Sequence, residues 1–145
     1  MDDLLVRRIT LDCPVDHAFE VFTRKIDLWW PRGHRRNREG RLHLEAREGG
    51  SLVELSPEGG QWTMGRVTAI EPPERLELDW YPGSPAAPTR VEVRFVATPA
   101  GTEIIVTHRP LPDSRSIWPE RVGLFAGGWE AALPAFKTFL GEHLR

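Results

Sequence analysis

The amino-acid sequence predicts an α+β fold, an antiparallel sheet covered by one long C-terminal helix, and two observations carry that expectation. Between residues 42 and 108, short runs of alternating apolar and polar residues are separated by turn-forming Gly and Pro. From Trp118 the alternation gives way to apolar residues at helical spacing, centred on Trp129. With 145 residues, 40% of them apolar, the chain suits one core and a single domain over 1–145.

The elements follow in order. Residues 5–11 mix β-branched and apolar side chains with Arg7, Arg8 and Thr10 and read as a first strand, stopped by Asp12-Cys13-Pro14. Pro14 suits the first turn of a helix, where its missing N–H costs nothing, and Asp16 and Glu20 lie near the positive end of that helix. Val15, Ala18, Phe19 and Phe22 give it one apolar face. A second short helical turn covers 25–30 and ends at Pro31.

Strands are expected over 42–46, 51–55, 62–70, 75–81, 89–97 and 102–108. Arg47-Glu48-Gly49-Gly50 joins the first two as a hairpin turn. Pro72-Pro73 breaks the chain before the fourth, and 82–88 is a surface loop. On the last three strands alternation separates the faces. Leu76, Leu78 and Trp80 share one side, as do Val91, Val93 and Phe95, and Ile104, Val106 and His108. In the final helix, over 118–144, the apolar stripe runs through Phe125, Trp129, Ala132 or Leu133, Phe136, Phe139 or Leu140, and His143. Gly127-Gly128 weakens its beginning by roughly 1 kcal/mol per glycine relative to alanine. Pro134 leaves the Glu130 carbonyl without its helical donor, which predicts a kink or a late start.

Composition excludes several classes. A net charge of -2 offers no overall basic field for nucleic acid or acidic membranes. A single cysteine, Cys13, leaves no internal disulfide and fits a reducing compartment. The N-terminus has no apolar run of signal-peptide length, and no segment reaches the roughly 18–20 apolar residues of a membrane helix. A cytoplasmic protein is the expectation, either monomer or homodimer. The scattered histidines His17, His34, His43, His108 and His143 show no metal-ligand spacing, and no nucleotide or cofactor motif is present. Neither a bound metal nor a cofactor is expected.

Two features point to chemistry. Five arginines, Arg32, Arg35, Arg36, Arg38 and Arg41, crowd into residues 31–41, as either a basic lip for an anionic group or a solvated loop. Polar residues on or near the inner faces, Glu54 and His108 above all, would have perturbed pKa values in an apolar cavity and would form an acid–base pair if they met there. Arg8, Asp79 and Arg94 are further candidates, of which Asp79 and Arg94 point away from the apolar face.

Several strings together resemble the START/polyketide-cyclase superfamily, in the branch named for the activator of the 90-kDa heat-shock protein's ATPase. They are Pro14-Val15-Asp16-His17-Ala18-Phe19, Trp29-Trp30-Pro31, Glu48-Gly49-Gly50, Gly65-Arg66-Val67, Pro72-Pro73-Glu74-Arg75-Leu76, Gly101-Thr102 and Gly128-Trp129. The resemblance spans nearly the whole chain. It implies a helix-grip fold: a curved seven-stranded antiparallel sheet wrapped around the C-terminal helix, with two short helices after the first strand. It also implies a cavity between sheet and helix, used by relatives for lipids, sterols, polyketides or hormones, and by some for catalysis. The double glycine at Gly127-Gly128 and the arginine-rich loop depart from the family pattern.

The leading expectation is therefore a protein that binds a small apolar ligand, lipid-like or aromatic. The expected lining is Trp29, Trp30, Glu54, Trp62, Trp80, Phe95, His108, Phe125 and Trp129. The plain alternative makes the same side chains core. An enzyme of cyclase or hydrolase type using His108 and Glu54 is a second reading, and a chaperone-ATPase-activating module is a third.

Overall fold

A computed structural model describes residues 4–81 and 86–143. Residues 82–85 of the predicted loop lie outside the described residues, as do Leu144 and the His143 side chain at the end of the predicted helix. The element order is β1 (Leu5–Leu11), α1 (Val15–Arg24), α2 (Ile26–Trp29), β2 (Arg41–Leu44), β3 (Ser51–Leu55), β4 (Gln61–Glu71), β5 (Arg75–Trp80), β6 (Thr89–Thr98), β7 (Gly101–Pro110) and α3 (Trp118–His143). Short 3-10 turns at Arg32–His34 and Pro112–Ser114 complete it. All seven strands pair antiparallel in one curved sheet of order β1-β7-β6-β5-β4-β3-β2. This is the helix-grip architecture that the resemblance implied.

The curvature has a local cause. The register of β4 skips one residue against each neighbour. Leu52 and Val53 oppose Gly65 and Thr63, leaving Met64 extra, and Leu78 and Glu77 oppose Val67 and Ala69, leaving Thr68 extra. Each extra residue is a β-bulge, which bends its strand and increases the twist. The sheet thus turns its apolar face around α3 rather than lying flat beneath it.

That face is continuous across five strands. Cross-strand pairing sets Leu5 opposite His108, His108 opposite Val91, Val91 opposite Leu78 and Leu78 opposite Val67. Onto it α3 lays Trp129, Ala132, Leu133, Phe136 and Leu140, all buried, with Phe125 half-buried. The helix is continuous through Pro134, so the predicted late start does not occur. Both Pro134 and Glu130 are exposed, and water can reach the carbonyl that the proline leaves without a donor.

Helices α1 and α2 plug one end of the gap. Phe22 packs on Trp29 at 4.8 Å between ring centroids and on Phe136 at 5.3 Å, and Trp29 packs on Phe136 at 4.8 Å. Phe95 of β6 meets Phe19 at 5.1 Å and Phe22 at 5.4 Å. Phe136, 0% exposed, is therefore the point where α3, α1 and α2 lock together. Replacing it with alanine is expected to cost about 3–5 kcal/mol. Leu124→Ala, on the same helix but 71% exposed, is expected to stay within about 0.5 kcal/mol. Urea denaturation of both variants checks the contrast.

Candidate functional site

His108 sits deep on β7, 0% exposed, and each ring nitrogen has a partner. The Trp129 indole N–H donates to Nδ1 at 3.1 Å. An indole only donates, so Nδ1 is unprotonated and the proton resides on Nε2. Nε2–H then donates to Thr89 Oγ1 at 2.7 Å, and the Thr89 hydroxyl donates to the Trp80 carbonyl at 3.3 Å. The chain runs in one direction, from α3 through β7 and β6 to β5. Aromatic rings enclose the imidazole, with Phe125 at 4.4 Å and Trp118 at 5.4 Å. Desolvation lowers its pKa to about 3, so the ring is neutral at physiological pH.

Glu54 lies elsewhere. Its buried carboxylate accepts the backbone N–H groups of Arg36 at 2.8 Å and Asn37 at 2.7 Å, pinning the arginine loop against β3. A methyl group at Gly40 would overlap Glu54 Oε2, so the glycine lets loop and carboxylate approach. The acid–base pair envisaged from the sequence does not form, because His108 is committed to Trp129 and Thr89 and Glu54 to loop backbone. Asp79 and Arg94 face away from the apolar side as expected, and Asp79 pairs with Arg90 at 2.6 Å.

The arginine loop is a built structure, not a solvated excursion. Arg35 is buried, and its guanidinium donates to Asp27 Oδ1 at 2.6 Å and to the carbonyls of Gly40, Asp27 and Trp30 at 2.7–2.8 Å. It caps the end of α2 and ties it to the start of β2. Burial works to raise the Asp27 pKa, but hydrogen bonds from the Leu42 N–H and Arg35 outweigh it, and the value lies below the usual carboxylate range. Arg32 donates to the carbonyls of Arg38 and Gly40. Arg36 differs: its guanidinium carbon lies 4.5 Å from the centroid of the Trp62 ring, a cation–π arrangement.

The open space begins where this loop faces α3. A slot of about 150 Å³ lies between Trp30, Trp80 and Trp129, with Phe125, Leu124 and Gly128 completing its helix side. It shares His34, Trp80, Leu124 and Phe125 with a second pocket of about 360 Å³, which reaches Arg36, Trp62, Met64, Tyr81 and Arg121. Arg36 and Trp62 also line a third, of about 380 Å³, beside Glu54 and Gln61. The three form one cleft at the mouth of the gap between helix and sheet.

Of the nine residues expected to line a pocket, the cleft brings together Trp30, Glu54, Trp62, Trp80, Phe125 and Trp129. His108 stands behind Phe125 and Trp129. Phe95 belongs to the inner aromatic core, and Trp29 packs there while its outer side borders a separate groove beside Leu28 and Phe139. Sequence reasoning named Arg36 only as one of five loop arginines and missed His34, Met64, Tyr81, Arg121 and Leu124. Leu124 lies off the apolar stripe of α3, and the bulge at Met64, a buried residue on the cleft wall, leaves no mark in the alternation. Among the described residues no cluster of three or more His, Cys, Asp or Glu side chains is placed to hold a metal ion. No helix among them is long and apolar enough to cross a membrane.

Curved sheet, gripped helix and a cleft at the mouth define a helix-grip domain of the START/polyketide-cyclase superfamily. Residues 12–141 match the family model described as "Activator of Hsp90 ATPase homolog 1-like protein", and the chain belongs to that family. Among solved structures it is similar to protein MLL2253 from Mesorhizobium loti, with a TM-score of 0.69 at 18% identity over 97% of this chain and 98% of that one. It is similar to SA2116 from Staphylococcus aureus, a protein of unknown function, with a TM-score of 0.70 at 16% identity over 96% and 93%. DynU16, from the dynemicin biosynthetic locus, gives 0.70 at 20% identity over 97% of this chain and 48% of that one. At these identities the likeness is one of fold. No curated protein matches the sequence.

Two measurements test the site's construction. An unfolded histidine binds a proton near pH 6.5, whereas folded His108 does so only near pH 3. Its contribution to stability is thus complete above pH 6.5 and is lost as pH falls toward 3, with a limiting slope of about 1.4 kcal/mol per pH unit. Urea midpoints between pH 7 and 4 should fall accordingly, and His108→Gln should flatten the slope. Arg35→Met takes the guanidinium donors away from the Asp27 carboxylate and three backbone carbonyls. A loss of about 3 kcal/mol is expected in the same assay.

Proposed function

We propose that this protein binds a small aromatic or apolar molecule in the cleft between the arginine loop, β4 and the first half of α3. One observation carries the reading. Gly128 stands on the cleft wall in mid-helix, where glycine costs about 1 kcal/mol relative to alanine. Nothing in the packing calls for it, since a methyl group there would meet only His34 Nδ1, at an ordinary 3.9 Å. What a larger side chain at 128 would remove is the slot against Trp30, Trp80 and Trp129. The helix gives up stability where that keeps the slot open.

The chemistry of the walls supports the same reading. Trp30, Trp80 and Trp129 stand 5.7–5.9 Å apart between centroids, presenting ring edges and faces to a flat guest. Such pockets combine apolar surface with a few fixed polar groups. Here His34, Arg36, Tyr81 and Arg121 supply those groups at the rim. An acid–base mechanism through His108 and Glu54 has no support, because the two neither meet nor have free hydrogen-bonding capacity aimed at a common guest.

The test is a titration with N-phenyl-1-naphthylamine, a neutral dye that brightens in apolar surroundings, with native mass spectrometry of the purified protein alongside. Gly128→Leu should abolish dye binding while leaving the Tm at or above the wild-type value. Gly127→Leu, whose added side chain meets open space, should bind like wild type. Equal dye binding by both variants would place any guest outside the cleft.

A further inference from the structure

We infer that the molecule this cleft accepts is an aromatic anion, its ring system held in the tryptophan slot and its acidic group against Arg36. The inference rests on the binding reading above and adds the charge class of the ligand.

The cleft has an apolar end and a cationic end. At the slot end the lining is Trp30, Trp80, Trp129, Phe125, Leu124 and Gly128, with His34 at the edge. Toward the loop the same space reaches Arg36 and Arg121, and no Asp or Glu lines either of these two pockets. The Arg36 guanidinium beside a low-dielectric aromatic wall lends a positive potential to this space. Glu54 lines the adjoining pocket, and its carboxylate accepts the Arg36 and Asn37 backbone N–H groups.

Arg36 is built to meet such a group. It has no ion pair among the described residues, unlike Arg35, which Asp27 neutralises. Glu54 fixes its backbone, so the origin of the side chain does not wander. Stacking over Trp62 then holds the guanidinium plane at the junction of the two larger pockets. A guanidinium resting on an aromatic face keeps its edge N–H donors free, and those donors match the paired oxygens of a carboxylate, sulfonate or phosphate. A bound anion would have its charge at the loop and its rings against the Trp30, Trp80 and Trp129 walls of the slot.

Two probes with one ring system separate the two levels of the claim. 1-Anilinonaphthalene-8-sulfonate is N-phenyl-1-naphthylamine carrying a sulfonate. The wild-type protein should bind the sulfonate at least tenfold more tightly at low salt, with the advantage shrinking as salt is added. Arg36→Gln should erase most of that advantage and leave the neutral dye's affinity unchanged. Arg8→Gln, on β1 and away from the cleft, should leave both affinities as they are.

Equal binding of the two dyes, or equal loss of sulfonate binding in Arg36→Gln and Arg8→Gln, would overturn the anion inference while leaving the binding function intact. Failure of both dyes to bind would overturn the two together.

Discussion

The fold depends on one hydrogen bond that crosses it, from the Trp129 indole on α3 to Nδ1 of His108 on β7. Apolar packing alone sets how close the helix comes to the sheet, but it is non-directional and tolerates sliding. A buried donor facing a single acceptor does not, since losing the bond leaves two desolvated polar groups unpaired. The bond therefore fixes the turn of α3 that faces β7. Through Nε2 and Thr89 it also determines the proton position on His108 and reaches the carbonyl of Trp80. Trp80 and Trp129, the two walls of the slot, are ends of the same relay.

Much of the fold was readable because the physics behind it is periodic. Alternation on β5, β6 and β7 requires no knowledge of neighbours, and it put Leu78, Val91 and His108 on the inner face where the structure has them. The spacing of Trp129, Leu133, Phe136 and Leu140 likewise identified the buried stripe of α3. The site was less readable because it is made where periodicity stops. Arg35 and Arg36 are adjacent and chemically identical, yet one is a buried structural staple and the other faces the cleft. The Asp27 carboxylate and the carbonyls that Arg35 collects, against the Trp62 ring under Arg36, distinguish them. Trp29 and Trp30 divide in the same way, one toward Phe22 and Phe136 and the other toward Trp80 and Trp129.

The arginine loop shows how a charged segment becomes architecture. Charge counting treats its five arginines as one basic patch, whereas the structure spends them on different tasks. Arg35 satisfies the open carbonyls at the end of α2, Arg32 closes the loop on itself, and Arg36 stacks on Trp62. Glu54 contributes from the opposite direction. A carboxylate accepting two successive backbone N–H groups orders a loop as an anion orders the turn that binds it, so the lip of the cleft is formed before any guest arrives.

The three tryptophans of the slot have an optical consequence. Trp30, Trp80 and Trp129 lie 5.7–5.9 Å apart with interplanar angles of 44°, 89° and 48°, neither parallel nor distant. Indole transition dipoles this close and this inclined mix into delocalised excited states, and an inclined set of coupled dipoles has a handedness. The cleft is thus a chiral chromophore in its own right, whose split band in the far-ultraviolet circular dichroism reports the arrangement of one small region against the background of the whole chain.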